Sequence, residues 1–308
     1  MLSKITSLLF LIASYAMGSE VYHLKPVKVS DSLYCVIGDI DGPSKENLGF
    51  ASNVCYANLG DKVVVIDAGP TYKFASELDV LIQQQFHLPV SAVVLTNYHD
   101  DRIQGASYFK EHGASIIGSD KINEDIKKNP QKFERIVKVV PAEIYKKTEV
   151  VMADKVFEKS YTIKGKNYDI FLEKPAKKGA QSPSDIIVTI PSQKFVFAGN
   201  IVFNGRMINY AKDSNMEGWL KSLKYIKSLG VKYVLGGHGA NMQSDAYKTT
   251  QEYLTKLKTQ VEKAYDNDVE LEEIMDNVNL KEFDFLKHFQ SLNGKNVYNY
   301  FMQLEWSE

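Results

Sequence analysis

The chain has 308 residues, 37 Lys+Arg against 38 Asp+Glu, a net charge of −1 and 44% apolar residues. That length allows one large domain or two small ones. The composition excludes a disordered or fibrous chain, and it lacks the basic excess usual in nucleic-acid binders.

Residues 1–18 (MLSKITSLLFLIASYAMG) carry Lys4, a mostly apolar run over 5–13, and small residues at Ala16 and Gly18. This is the pattern of a secretory signal peptide, too short and Ser-rich for a good spanning helix. The expectation is cleavage, a mature chain in the periplasm or secreted, and no membrane span. Export gives Cys35 and Cys55 a role, because both lie in β-rich runs, 33–37 and 53–59. In an oxidising compartment they form either a disulfide or two buried thiols. If the runs pair as antiparallel neighbours, a bridge places the Cα atoms about 4.4 to 6.8 Å apart.

Residues 53–59 and 62–67 read as strands joined by a turn at Gly60-Asp61. Val63-Val64-Val65-Ile66 is wholly apolar, as a strand buried on both faces must be. A helix over 74–86, a strand over 92–95, a helix over 103–112 and a strand over 115–118 follow. This alternation is that of α/β layers. Residues 121–140 read as a polar helix, and 150–152, 159–163 and 168–172 as strands. Lys174 opens a Lys-, Gly- and Pro-rich loop that reads as solvated, and 185–190 with 194–198 read as a hairpin. Residues 216–228 form an amphipathic helix with Trp219, Leu220, Leu223 and Ile226 on one face. The last strand, 232–235, runs into Gly236-Gly237-His238-Gly239. Helices then read over 247–265, 271–277, 282–289 and 297–304. The expected organisation is a domain over 19–245 carrying a C-terminal helical extension over 246–308.

The chemistry concentrates after the strand over 92–95, in Thr96-Asn97-Tyr98-His99-Asp100-Asp101-Arg102. Ligands of open α/β sheets bind at that end of a strand. In extended chain, Asn97, His99 and Asp101 point the same way. An imidazole and a carboxylate converging there suit a divalent ion or action on a water. His238, between glycines, has backbone freedom and little steric cover. Taken alone, each histidine is more often a structural side chain than a ligand. No P-loop and no Gly-x-Ser-x-Gly elbow occurs.

These blocks resemble the metallo-β-lactamase superfamily. Residues 64–70 (VVIDAGP) resemble its strand ending in Asp and Gly, and 96–105 (TNYHDDRIQG) its Thr-His-x-His-x-Asp-His loop. Gln181-Ser182-Pro183-Ser184-Asp185, Phe197-Ala198-Gly199-Asn200 and Gly236-Gly237-His238-Gly239 follow in the family's order, over roughly residues 22–245. The resemblance implies an α/β fold, a four-layer αββα sandwich with the site at one edge of two sheets. Residues 38–53 and the C-terminal helices resemble periplasmic zinc hydrolases found alongside sulfur-oxidation and quinoprotein genes.

The resemblance also implies a first zinc site of three histidines, where this chain has Asn97, His99 and Gln181. At the second site it has Asp101, Arg102 and His238, with Asn200 at the bridging position. Catalytic zinc takes about three protein ligands plus water, so a full binuclear site is not expected. The first loop is similar to that of the mono-zinc carbapenemase subclass, whose Cys position is Asn200 here. Arg102 places a permanent cation where a ligand would sit and is expected to pair with Asp101. Two main readings stand. One is a non-catalytic binding or accessory member, holding a small-molecule ligand or a periplasmic protein, whose cleft includes Asn97, Arg102, Gln181 and Asn200. The other is a periplasmic hydrolase of esters, amides or thioesters. It would hold one zinc weakly on Asp101 and His238, with Asn200 or His99 completing the shell and His99 or Asp101 handling the water. A third reading is a different metal, or a metal-free acid–base pair of His99 and Asp101.

Overall fold

Two sheets flanked by helices form in the computed structural model, which describes residues 20–306. The leader expected over 1–18 lies outside the described residues. The first sheet runs in chain order through β1 (Pro26–Ser30), β2 (Leu33–Val36), β3 (Val54–Asn58), β4 (Val63–Ile66), β5 (Val90–Val94), β6 (Ser115–Ser119) and β7 (Lys155–Phe157). β1 to β4 pair antiparallel, and β4 to β7 pair parallel. Parallel neighbours need crossovers. These contain α1 (Tyr72–Phe86), α2 (Asp100–Ile103), α3 (Ala106–Glu111), α4 (Ile122–Lys128), α5 (Glu134–Val139) and α6 (Ala142–Tyr145).

The second sheet has the order β12-β11-β10-β9-β8. Its strands are β8 (Ser160–Ile163), β9 (Ile170–Glu173), β10 (Ile187–Ile190), β11 (Phe195–Phe197) and β12 (Tyr233–Leu235). Against its outer face lie α7 (Met216–Ser228), α8 (Lys248–Asp266), α9 (Ile274–Asn277) and α10 (Phe289–Glu305).

Side-chain alternation explains the layering. In β4, Val63 and Val65 join the cluster containing Leu78 of α1 and Phe109 of α3. Val64 and Ile66 point the other way, into the cluster between the sheets with Val188 and Phe197. The wholly apolar strand therefore serves two layers. In the third cluster, Trp219, Leu223 and Ile226 of α7 meet Leu254 and Leu257 of α8 and Val297 and Phe301 of α10. Three apolar clusters between four layers make the expected αββα sandwich. Polar caps set helix starts: Thr71 accepts from Phe74 N at 3.0 Å, and Asn215 accepts from Gly218 N at 2.7 Å.

Several boundaries differ from expectation. The helix expected over 103–112 breaks before α3, where Gly105 crosses the turn after β4. A Cβ on Gly105 would lie 2.0 Å from the Ala68 carbonyl oxygen. The helix expected over 121–140 breaks at Asn129-Pro130, as an X–Pro step favours. Residues 150–152 are not a strand. Pairing with β6 starts at β7, after Asp154 N donates to Ile116 O and its carboxylate accepts from Ile116 N. Where 282–289 was expected helical, a short 3-10 turn (Lys281–Phe283) forms instead. His288 then adopts a left-handed φ of 68°, and α10 begins at Phe289, well before residue 297. Lys174 is buried against Asp120 at 2.7 Å rather than solvated.

Cys35 and Cys55 form a disulfide, as directly opposed residues of β2 and β3. Their Cα atoms are 4.0 Å apart, below the expected range of about 4.4 to 6.8 Å. Among the described residues, no helix is long and apolar enough to cross a membrane.

Candidate functional site

β4, β5, β11 and β12 all lead into loops at one edge of the sandwich. β10 runs antiparallel to β11, so the segment before it, carrying Gln181 and Asp185, reaches the same edge. The topology thus gathers Asp67, residues 96–102, Gln181, Asn200 and His238 from distant parts of the chain.

Asp67 ends β4 with a left-handed φ of 59°, uncommon outside glycine, and its N donates to Val94 O at 2.8 Å. Its carboxylate accepts from Thr96 N at 2.8 Å, from Thr96 Oγ1, and from Arg102 Nη1 at 2.5 Å. Arg102 is 0% exposed and donates through Nη2 to Asn200 Oδ1. The backbone of Gly237 covers this guanidinium. A Cβ there would lie 1.9 Å from Arg102 Nη2, so only glycine fits. Burial pushes the Asp67 carboxyl up, while Arg102 and Thr96 pull it back.

This corrects the expected Arg102–Asp101 pair. The helical turn over Asp100–Ile103 directs Arg102 to the end of β4, where the Asp67 carboxylate takes its guanidinium. Asp101 faces the cleft, whereas Arg102 faces the sheet edge and Asp67.

Asn200 is the next link. Its Nδ2 donates to His99 Nδ1 at 3.1 Å and to Gln181 Oε1 at 3.5 Å. An amide N–H therefore stands between His99 and Gln181. Asn97 points elsewhere. Its Oδ1 accepts from His99 N at 3.0 Å, and its Nδ2 donates to Asp185 at 3.2 Å. Asn97 and Arg102 are buried beneath the cleft and do not line it.

The cleft has a volume of about 400 Å³; His99, Asp101, Gln181, Asn200, Arg206 and His238 are among its lining residues. His238 is 5% exposed and stacks on Phe203 at 5.0 Å, so it has more cover than its glycine neighbours suggested. Its Nδ1 donates to Ala51 O at 2.7 Å, leaving Nε2 as an acceptor 4.0 Å from Asp101 Oδ2. Burial holds His99 well below the usual histidine range, helped by Lys132 and Arg135. Burial does the same to His238, helped by Arg206 and Arg102. Both rings are neutral at neutral pH.

Several contributors were not legible. Asn53 ties the His238 loop down, donating to Gly236 O at 2.9 Å and Gly239 O at 2.8 Å. Asp67 has one sequence signal, an Asp at a strand end beside glycine, which by itself assigns it no role. Arg206 and the Ala51 carbonyl had no sequence signal.

The donor set does not fit zinc. Among the described residues no group of three His, Cys, Asp or Glu is placed to hold a metal. His99 and Gln181 face the Asn200 N–H. Ligands of one tetrahedral zinc, at about 2.0–2.1 Å from it, stand roughly 3.3 Å apart. Asp101 and His238 are 4.0 Å apart and lack a third partner.

Asp185, 2% exposed, yields a pH prediction. Burial pushes its carboxyl up to about 7, although Ser182 N at 2.6 Å and Asn97 donate to it. A raised folded pKa means that the native state binds more protons than the unfolded chain between about pH 4 and 7. Stability from this group is thus present at low pH and lost as pH rises through about 7. Asp185→Asn should remove that dependence and gain on wild type by about 1.4 kcal/mol per pH unit across the window. Urea unfolding at pH 5 and 7.5 measures it. A pH-independent difference between the two proteins would refute the assignment.

Residues 48–238 match the family model described as the metallo-beta-lactamase superfamily. The chain is 26% identical over 237 residues to metallo-beta-lactamase IND-1 of Chryseobacterium indologenes, covering 75% of this chain and 87% of that protein. It is 24% identical over 250 residues to a metallo-beta-lactamase type 2 of Elizabethkingia meningoseptica, covering 79% and 90%. A solved metallo-beta-lactamase from Pontibacter korlensis shares the fold with a TM-score of 0.61 at 18% identity, covering 75% of this chain and 99% of that one.

Proposed function

The chain belongs to the metallo-beta-lactamase superfamily, and we propose that it is a metal-independent ligand-binding member of it rather than a zinc hydrolase. One observation carries this reading: the buried Arg102 guanidinium spans Asp67 and Asn200 where the resemblance implies a second metal. A fixed cation there meets the local carboxylate and repels an incoming dication. Asn200 then passes donors to His99 and Gln181, whose acceptors would otherwise seek a metal. The relatives named metallo-beta-lactamases do not extend their activity to this chain, because the ligand positions implied by the resemblance hold Asn97, Gln181, Asn200 and Arg102 here.

The cleft of His99, Asp101, Gln181, Asn200 and His238 is the proposed binding site, with a small molecule as the favoured partner. We place the protein outside the cytoplasm, in the periplasm or secreted, after cleavage of a leader over 1–18. The Cys35–Cys55 disulfide supports export. We also propose a division into a domain over 19–245 and a helical extension over 246–308.

The facing acceptors of Asp101 and His238 favour a second reading, a hydrolase with one weakly held zinc beside His99. Elemental analysis of purified protein, then calorimetric zinc titration after chelator treatment, separates the two. The expected result is no stoichiometric zinc and a Kd weaker than about 1 μM, short of the roughly 10 kcal/mol of built sites. Stoichiometric zinc bound more tightly than that would overturn the metal-independent reading.

A further inference from the structure

We infer that the cleft binds a small zwitterion of the amino-acid kind, its ammonium on Asp101 and His238 and its carboxylate on Arg206. This rests on the reading that no metal holds the site.

Unmet partners of opposite sign carry the inference. Asp101 Oδ1 is buried without a hydrogen-bond partner among the described residues. Its Oδ2 faces His238 Nε2 at 4.0 Å, and the Nδ1 proton of that ring is committed to the Ala51 carbonyl. Two acceptors thus face each other with no donor between them, which is unfavourable in a buried place. An N–H-bearing cation about 2.8 Å from both atoms satisfies that geometry.

Arg206 is the complement. Its Nη1 lies 3.4 Å from the Asp41 carbonyl and 3.4 Å from His238 Nδ1. The second contact is not a usable bond, since His238 Nδ1 carries the proton given to Ala51. Arg206 Nε is buried without a partner among the described residues. The other cations nearby are engaged: Arg102 with Asp67, Arg135 with Asp100, and Lys132 with the Tyr98 hydroxyl. Arg206 and Asp101 both line the cleft of about 400 Å³.

A simple anion would satisfy Arg206 and leave Asp101 unmet. A simple ammonium ion would do the reverse. A zwitterion meets both, through a guanidinium–carboxylate pair and a charge-assisted N–H bond. Backbone and amide groups in the cleft then have only orientation to supply.

The test uses chelator-treated protein and calorimetry with the proteinogenic amino acids, β-alanine and γ-aminobutyrate. Propionate and ethylammonium serve as half-probes. At least one zwitterion should bind roughly tenfold or more tightly than either half-probe. Arg206→Gln should weaken the zwitterion and propionate alike. Asp101→Asn should weaken the zwitterion roughly tenfold or more while sparing propionate. The propionate response also reports whether the Asp101 variant is folded. No zwitterion binding at millimolar concentration, or binding indifferent to Arg206→Gln, would overturn the inference. Zinc titration of the same preparation separates the two failures. Tight zinc would remove the underlying reading, whereas absence of both zinc and zwitterion binding would remove this inference alone.

Discussion

Arg102→Met should lower the free energy of unfolding by about 3–5 kcal/mol, because it leaves the Asp67 carboxylate buried without its counter-ion. The pair has 0% side-chain exposure on both sides, so water cannot replace the lost guanidinium. Thr96 still donates to Asp67, which keeps the loss below that of a wholly unpartnered charge. Asn200 Oδ1 loses a donor as well. Arg102→Lys should be only partly tolerated, since an ammonium cannot present two donors in a planar fork to Asp67 and Asn200 together. The companion variant is Asp67→Asn in the Met background. Asn tolerates the left-handed backbone of residue 67 and keeps the Thr96 contacts while removing the charge. It should recover more than half of the loss, a coupling that a double-mutant cycle reads directly. Urea unfolding of the four proteins decides it. A cost below about 1 kcal/mol for Arg102→Met would show that the pair does not hold this edge together.

A second large effect is expected from rebuilding ligands without disturbing Arg102. Asn97→His and Gln181→His, joined to His99, supply three imidazoles, and Asn200→Asp removes the N–H between His99 and Gln181. The triple variant should bind zinc at least about a hundredfold more tightly than wild type. Asn200→Asp also gives Arg102 a second carboxylate, so the guanidinium is retained rather than expelled. Position 97 sets the limit. Asn97 now accepts from His99 N and donates to Asp185, and a histidine there must turn toward the cleft. Equal zinc affinity in variant and wild type would end the reading of a degenerate site if both bind tightly. If both bind weakly, the loop around residue 97 does not permit that turn.

The layers were legible because hydrophobic periodicity is local. Val63 to Ile66 announced a doubly buried strand, and Trp219, Leu223 and Ile226 announced a helix face; each behaves so. Breaks decided by distant partners were not legible. The helix breaks at Gly105 because its N donates to Gly69 O while Ser52 Oγ donates to the Asp101 carbonyl, and nothing in residues 103–112 records those contacts. At the site, the motif order pointed to segments that share one sheet edge: His99, Asp101, Gln181, Asn200 and His238 line one cleft, whereas Asn97 and Arg102, expected there too, lie buried beneath it. It did not tell who pairs with whom. Placing Arg102 at a ligand position of the implied metal site put its guanidinium on Asp101. The helical turn at Asp100 sends it to Asp67, distant in sequence and close only after β4 and β5 lie side by side. Arg206 was silent for the same reason, as its neighbours come from the loops around Asp41 and His238.

The Arg102 guanidinium also changes what the site depends on. A bound ion stabilises a fold in proportion to the logarithm of its free concentration, so such a fold weakens when the ion is scarce or sequestered. A cation built into the chain has no dissociation constant and cannot be withdrawn by a competing scavenger. The edge formed by Asp67, Arg102 and Asn200 is therefore assembled as soon as the chain folds. Its charge is the same in metal-rich and metal-starved surroundings.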